Sequence, residues 1–578
     1  MKTVAAGLVF GFAAVVTAIA TAFATGGLGP GGAWLSLGVG ILAAGWAGHT
    51  TREDSPVPLR FWDYVILTVF ALASLRAFLW LIYVRGDDLC VLSPNNLGDL
   101  ALHMNFIRYF ASGIPFWPES PILTGVPLAY PLGADLFNSL LEICGMETGQ
   151  GLIFVGLVGA GLTGYVLWRW GGAFTVAVFL CSGGLAGFAF LKTFAVEDFQ
   201  QALYWKNLFL SMFVTQRGFL FALPAGLLLL TVWRDHFFRG ERFRVPPSVQ
   251  LLLYAGMPLF SAHTFLFLSV ILLGIFVGEK SSRRELICFV GVAFLPASLA
   301  AYLITGGFSS SAGLRWLPQG ILVDGSIKDW IWNFGLMLPA GLALAVSLLR
   351  QPDREARCLA GTALGIFLVG CFVALAPWEW DNMKLLIWSL LVIAPYVWTR
   401  LILPLKIPAR TAICVLLFFS GAVSLVGGLD GRHGYPLAKR SELAAWKVAI
   451  KDIPPGDRFA CVPDYNHPLI LLGRKVACGY EGHLWSHGLD YRPKLSALQT
   501  ALNEPSQWPP AAAKLDVQWL GLRRQDIPPA QPPGTFPEGS FGALYDLSKV
   551  TSKDPTPPQI PVRTVDFLRQ VKLEPEKN

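Results

Sequence analysis

Asp99 and His103 are two ionisable residues four positions apart, in a polar segment between two apolar runs. If the stretch to Tyr109 is helical, as its amphipathic pattern predicts, both side chains lie on one helix face. A carboxylate beside a cavity can take a proton from a hydroxyl group or hold a cation. An aspartate at the start of a helix also commonly caps it, so both interpretations of Asp99 stay open.

The segment 85–149, which contains this pair, is much longer than an ordinary connection between elements. It begins with a second acidic pair, Asp87 and Asp88, which are further candidates for binding. Connections of this length inside a compact protein usually carry function.

Later segments between apolar runs contain more polar residues, including cations of the kind that bind phosphate. Lys and Arg donate charge-assisted hydrogen bonds to phosphate oxygens without a metal ion. His263 stands inside an apolar run, where an ionisable side chain is costly and usually faces a cavity or a partner. Taken alone, each loop charge is more simply explained as a solvated side chain. The candidates are Glu197, Asp198, Lys206, Asn207, Gln216, Arg217, Arg315, Trp316 and the segment Trp378–Lys384, which includes Lys384.

The segment 472–491 concentrates glycine, histidine and aromatic residues around one arginine. Arg474 offers a bidentate contact to a phosphate. Tyr480 and Trp485 offer flat aromatic faces to a ring-shaped ligand. The alternative is a glycine-rich loop packed on the membrane part, with its aromatic residues at the interface.

His483 and His487 in the same segment are four residues apart and, with Asp490, have the residue types of a metal site. Gly482 and Gly488 disfavour the helix that this spacing needs. No metal ligand is therefore assigned, and His487 is kept as a candidate for ligand binding.

The composition decides which environment must position these residues. The chain has 578 residues, of which 54% are hydrophobic and only 14% charged, and its mean hydropathy is +0.52. Soluble proteins are about a quarter charged, which excludes a chain of soluble domains. The net charge of +7 does not indicate a nucleic-acid partner, because most of the excess lies in short loops between apolar runs.

Runs of about 20 apolar residues predict helices that cross a bilayer. The run 249–278 is longer and is broken near Pro258 and His263, so it is interpreted as a hairpin of two segments. The predicted total is therefore about 13 spans. The other runs are 4–25, 31–49, 61–84, 150–169, 171–191, 217–233, 286–304, 329–349, 358–377, 384–402 and 411–429.

The distribution of basic residues predicts the topology. One set of loops is short and basic, whereas the longer loops 85–149, 192–216, 305–328 and 378–383 are poorer in Lys and Arg. Basic loops stay in the cytoplasm, which places the N-terminus inside and the C-terminal region outside. Residues 1–24 resemble a signal peptide, but their apolar part is long, so a retained span is favoured.

The composition changes after residue 430. We predict a small α/β domain over 430–550 and a polar, partly disordered tail over 551–578. Cys461 and Cys478 are a candidate disulfide if this domain lies outside the cytoplasm. The predicted elements are a helix over Ser441–Lys451 and strands over Arg458–Val462, Leu469–Leu472, Val517–Leu522 and Ala543–Leu547.

The first long loop resembles that of the GT-C glycosyltransferases, integral membrane enzymes that use sugars linked to polyprenyl phosphate. The resemblance rests on Gly98-Asp99 at the start of a helix and on Ser112-Gly113-x-Pro115 after it. Leu100 stands where Glu would complete an Asp-Glu pair. The segment 472–491 resembles one that follows the last span in large, poorly characterised GT-C-like membrane proteins of bacteria.

The resemblance implies an all-α polytopic membrane domain over 1–429, with the small α/β domain after it, in the inner (plasma) membrane. It implies a glycosyltransferase that moves a hexosyl or pentosyl unit from a polyprenyl-phosphate-linked donor to an unknown acceptor on the outer face. Asp99 is the implied catalytic acid–base group. The expected partners are the bilayer, the lipid-linked sugar and the acceptor, with no nucleic acid. Mg²⁺ or Mn²⁺ is a candidate cofactor.

Two other functions fit the same features. One is a transporter or flippase of a lipid-linked or anionic solute, and the other is a non-catalytic GT-C scaffold. A transporter more often shows internal repeats with paired broken helices, and the sequence contains no evident repeat. The missing Asp-Glu pair at Asp99 keeps the scaffold open.

Overall fold

The computed structural model describes residues 1–53, 57–308, 314–322, 326–351, 353–432, 434–503, 508–526, 540–549 and 562–565. Of the described residues, 67% are helical, and a small sheet region lies near the C-terminus. The described helices are α1 Lys2–Thr25, α2 Pro30–Thr50, α3 Phe61–Leu79, α4 Leu97–Ala111, α5 Gly133–Ile143, α6 Thr148–Cys181, α7 Phe190–Thr193, α8 Phe219–Arg239, α9 Pro247–Ala255, α10 Met257–Phe260, α11 Ala262–Gly278, α12 Arg283–Ile304, α13 Ile327–Phe334, α14 Met337–Arg350, α15 Arg354–Ala356, α16 Thr362–Phe372, α17 Met383–Val397, α18 Ile407–Gly428, α19 Arg440–Ala449, α20 Pro468–Leu471, α21 Glu481–Ser486, α22 Arg492–Asn503 and α23 Trp508–Leu515.

Eight helices in the described part of the chain are long and apolar enough to cross a membrane. Helices α13 and α14 together make a ninth candidate span, bent by 99° between them. The eight include α1, α2, α3, α6 and α18, as well as α12, α16 and α17 with the short turns that precede them. A polytopic helical membrane protein is the architecture that the sequence predicted, whereas the total of about 13 spans is not confirmed.

Much of the predicted spans 150–169 and 171–191 lies in one 34-residue helix, α6, which ends at Cys181. The helix bends at a glycine pair. Gly172 has φ 68° and ψ −165°, a conformation that is essentially restricted to glycine. A Cβ atom on Gly171 would lie 2.7 Å from Cγ of Pro395 in α17. The bend therefore occurs where α17 packs closely against α6.

The run 249–278 is broken, as its proline and histidine predicted, into α9, α10 and α11. Pro258 lies in the first turn of α10. The Ser261 hydroxyl caps α11 by accepting a hydrogen bond from the backbone N–H of Thr264 at 3.2 Å. The cap places His263 in the first turn of α11, at the end of an apolar helix.

The described strands form three sheets. The first has the antiparallel order β1-β2-β5 and ties the long first loop to the start of the C-terminal region. The second has the order β10-β9-β8-β6-β7, in which β6 runs parallel to β7 and β8. The third pairs β3 with β4. The strands are β1 Ile82–Arg85, β2 Asp88–Val91, β3 Arg315–Trp316, β4 Val373–Ala374, β5 Tyr435–Lys439, β6 Arg458–Ala460, β7 Lys475–Val476, β8 Trp519–Arg523, β9 Gly542–Asp546 and β10 Val562–Val565.

Most of the elements predicted after residue 430 are observed, as α19, β6, β8 and β9. The strand predicted over Leu469–Leu472 is wrong, because Pro468–Leu471 is a helical turn. Pro468 stands at its start, where a fixed φ favours a helix, and the His467 ring accepts the N–H of Leu469. Cys461 and Cys478 are buried free thiols, so the candidate disulfide is absent. Of the predicted tail 551–578, only β10 lies within the described residues.

Candidate active site

A cavity of about 400 Å³ lies where the starts of α4 and α11, the turn before α17, and α21 converge. It contains residues from the long first loop and from the segment 472–491. As predicted, these two parts of the chain line one cavity, while its role as a functional site stays a prediction. The candidates from the sequence that line it include Asp99, His103, Lys206, Gln216, His263, Asp381, Lys384 and His487.

Asp99 faces this cavity from the first turn of α4 and does not cap the helix. Helix α4 begins at Leu97 and has no side-chain cap. Oδ2 of Asp99 instead accepts a hydrogen bond from Nε2 of Gln216 at 3.0 Å. Burial raises the pKa of Asp99, while the nearby charges of His103 and Lys384 and the hydrogen bond oppose that shift. A carboxyl group with a raised pKa is better matched to proton transfer near neutral pH.

Two lysines carry positive charge into the same cavity. The ammonium group of Lys384 forms an ion pair with Asp381 at 3.0 Å. Lys206 has no ion-pair partner within 4 Å in the described part of the chain, and its Nζ lies 5.6 Å from the centre of the Trp380 ring. Burial lowers the pKa of Lys206. A half-buried ammonium group without a counter-ion is suited to receive an anion.

Four of the chain's eight histidines line the cavity: His103, His263, His483 and His487. Nδ1 of His103 lies 2.8 Å and 3.0 Å from the two carboxylate oxygens of Asp135 in α5. Burial lowers the pKa of His483 to about 3 and that of His487 to about 4. These last two rings are therefore uncharged at neutral pH and can only donate or accept neutral hydrogen bonds.

Asp87 and Asp88 lie outside the cavity and join the first loop to the C-terminal region. The Asp87 carboxylate accepts hydrogen bonds from the backbone N–H and the hydroxyl of Ser441 in α19. Asp88 pairs with Lys439 in the β2–β5 register. The first contact caps the start of α19. The second is part of the strand pairing between β2 and β5.

The three predicted phosphate-binding arginines also lie outside the cavity. Carbonyl or carboxylate oxygens already accept hydrogen bonds from their guanidinium groups. Arg474 donates to the carbonyls at the end of α19 and beyond, including Ile450 at 2.7 Å. Arg217 is buried and donates to the carbonyls of Leu152 and Val214. Arg315 forms a 2.9 Å ion pair with Glu379.

The remaining candidates do not line the cavity. Burial raises the pKa of Asp198 to about 6, and its loop packs against the end of α18 beside the exposed Glu197. The Tyr480 ring lies 5.2 Å from His483, and the Trp485 ring lies 6.1 Å from Trp378. The rings of Tyr480 and Trp485 therefore pack next to residues that line the cavity.

Sequence reasoning gave no specific role to several of the residues at the cavity. Gln216, Asp381 and His483 stood in the segments that it singled out, so their polar side chains were a usable signal. Asp135, which contacts His103 and does not itself line the cavity, had no such signal, because an aspartate in the first turn of an amphipathic helix is ordinary. Among the described residues, no group of three or more His, Cys, Asp or Glu is placed to hold a metal ion.

No family model matches this chain, and no curated protein matches it. Among solved structures, it is similar to the oligosaccharyltransferase of Archaeoglobus fulgidus tethered to an acceptor peptide, with 13% identity and a TM-score of 0.48. That match covers 80% of this chain and 69% of the other. It is also similar to ArnT of Cupriavidus metallidurans, with 12% identity and a TM-score of 0.42 over 80% and 93% of the two chains.

These neighbours are GT-C superfamily membrane glycosyltransferases, the superfamily that the loop motifs indicated. A further structure of the A. fulgidus enzyme holds an inhibitory peptide and dolichol-phosphate, with 13% identity and a TM-score of 0.41 over 80% and 69% of the two chains. Because these TM-scores lie below 0.5, the likeness does not by itself assign a function to this chain.

Proposed function

We propose that this protein is a membrane glycosyltransferase that moves a sugar from a polyprenyl-phosphate-linked donor to a hydroxyl group of an acceptor. The observation that carries the proposal is one cavity in which a half-buried carboxylate, Asp99, faces Lys206 and Lys384. A base and cations in one partly dehydrated site are the groups that transfer from a phosphate-linked sugar requires.

The transfer follows from these groups. The acceptor oxygen bonds to C1 of the sugar while the bond from C1 to the phosphate oxygen breaks. Asp99 takes the acceptor's proton, and the bonding electron pair leaves with the phosphate. Lys206 and Lys384 stabilise the negative charge that the phosphate gains, and Gln216 holds the Asp99 carboxylate in place.

The surroundings of the cavity support a lipid-linked donor. The cavity lies at the ends of apolar helices, so a phosphate there can keep its lipid tail in the bilayer. The C-terminal region supplies α21 to its wall. We therefore propose that 1–429 is the membrane domain and that 430–550 is a domain on the outer face which closes the site.

The test compares Asp99→Asn with wild type in purified, bilayer-embedded protein, against a panel of polyprenyl-phosphate sugars and an envelope extract as the acceptor source. Asparagine keeps the size and the hydrogen bonding of the side chain but cannot take a proton. We expect turnover to fall about 10²–10⁴-fold. Asp88→Asn, in the same loop but outside the cavity, is the matched control and should retain turnover. Wild-type turnover in Asp99→Asn would contradict the proposal.

A further inference from the structure

His103 and Asp135 form a buried pair in one wall of the cavity, and the transfer described above does not use it. The two residues are 3% and 1% exposed. They come from the two helices of the long first loop, α4 and α5. Nδ1 of His103 lies within 3.0 Å of both oxygens of the carboxylate. Holding a carboxylate at this burial is costly unless a charged or hydrogen-bonding partner faces it.

The pair fixes which ring nitrogen faces the cavity. Because a carboxylate only accepts hydrogen bonds, the proton on Nδ1 must point at Asp135. The other ring nitrogen, Nε2, has no hydrogen-bond partner among the described residues, while His103 lines the cavity. A ligand in the cavity therefore meets Nε2 in a fixed orientation.

Two carboxylates lie near the ring, with the Tyr130 ring centre 6.3 Å from it and with His483 and His487 close by. Asp135 contacts the ring, and Asp99 lies one turn earlier on α4. Arg217, whose charge interacts with that of Asp135, is directed at the carbonyls of Leu152 and Val214. A carboxylate in contact with an imidazole stabilises the positive charge of its protonated form.

The other cavity histidines of the C-terminal region lack this arrangement. No carboxylate lies within 4 Å of the rings of His483 and His487 in the described part of the chain. Burial holds their pKa values at about 3 and about 4, so they are uncharged at neutral pH. Among these three rings, His103 is the one in contact with a buried carboxylate.

We propose that His103 is a catalytic residue that donates a proton from Nε2 to the departing phosphate oxygen, and that Asp135 is its positioning residue. The inference rests on the proposed function. As the bond from C1 to the phosphate oxygen breaks, its electron pair goes to that oxygen, which takes the Nε2 proton. Asp99 takes the proton of the acceptor hydroxyl. Asp99 gains one proton and His103 loses one, so the step needs no further reactant.

The test measures equilibrium binding of undecaprenyl phosphate to the full-length protein in lipid nanodiscs between pH 5.5 and 8.5 (about the range in which histidine titrates). We compare wild type with Asp135→Asn and His103→Gln. Ser139→Ala is the matched control, because Ser139 lies in α5 against α4 and its hydroxyl donates only to the backbone carbonyls of Ile107 and Asp135. Thermal unfolding of each variant reports whether it folds.

The proposal predicts a pH-dependent component of the wild-type affinity, which is lost as pH rises because a protonated imidazole is positively charged and a neutral one is not. Asp135→Asn should lose about tenfold in affinity at the acidic end and most of that component. His103→Gln retains an uncharged donor near the position of Nε2. It should therefore keep part of the wild-type affinity but show none of the pH-dependent component. The titration of the ligand phosphate, with a second pKa of about 6, is common to all variants and cancels in the comparison.

Wild-type affinity and pH dependence in Asp135→Asn and His103→Gln would overturn the inference and leave the proposed function standing. An equal loss in Ser139→Ala would also overturn it, because the effect would then be packing. If Asp135→Asn does not fold, His103→Gln decides alone. A wild-type protein that does not bind the lipid phosphate would instead contradict the proposed function.

Discussion

The hydrogen bond between Gln216 and Asp99 is the contact that a single substitution can test most directly. Asp99 must be ionised to act as a base, so kcat/KM should rise with pH through its pKa. Burial raises that pKa, so the rise should lie above the ordinary value of about 3.9 for aspartate. The Gln216 hydrogen bond lowers it, because the amide N–H stabilises the carboxylate.

Gln216→Leu should therefore move the acidic limb of the kcat/KM profile to higher pH and reduce the rate on that limb by about tenfold. The measurement is a pH–rate profile of both proteins with the same donor. Gln201→Leu changes an exposed glutamine of the same loop and should leave the profile unchanged. An acidic limb that stays in place in Gln216→Leu would show that the hydrogen bond does not control Asp99.

The basic residues differ in whether other protein groups already accept their hydrogen bonds. Arg217, Arg315 and Arg474 were each predicted to bind phosphate, but carbonyls or a carboxylate occupy their donors. Lys206, which looked no different in the sequence, forms no ion pair within 4 Å in the described part of the chain. An arginine's five donors make it a frequent partner of helix-end carbonyls in a low-dielectric interior.

At the scale of elements, the bend in α6 depends on one glycine. The conformation of Gly172 has positive φ and nearly extended ψ, which costs other residues about 1–3 kcal/mol. Gly172→Ala should therefore lower the free energy of unfolding by about that amount, measured by denaturant or thermal unfolding in detergent. Gly161→Ala, in the same helix with open space around its Cβ, is the control and should be neutral or stabilising. Equal stability of the two variants would show that the bend does not need the glycine.

At the scale of the whole molecule, the charge distribution predicts orientation. The loop after α8 is basic, so Gly240 should face the cytoplasm, and Asp452, after α19, should lie outside. Single cysteines at these positions should respond oppositely to a membrane-impermeant thiol reagent in intact cells. The exposed Cys288 is first replaced by Ser. Labelling of the cysteine at Gly240 and not of that at Asp452 in sealed cells would reverse the predicted topology.

The sequence by itself determined the class of this protein. Bilayer thickness sets the length of an apolar helix, so long uncharged runs predict membrane helices without any knowledge of packing. The same local evidence indicated the long first loop, the acid at Asp99 and most of the C-terminal strands. It was wrong at Leu469–Leu472, where a local proline and a histidine cap outweighed an apolar run that suited a strand.

Only the tertiary structure decided which polar residues meet. Asp99 in α4, Lys206 in the segment before α8 and Lys384 in α17 are far apart in the chain, yet all three line one cavity. Asp135 became a candidate only because α5 brings it against His103. The physical reason is that length, hydropathy and periodicity are properties of neighbouring residues, whereas the partner of a buried charge is chosen by contacts between segments far apart in the chain.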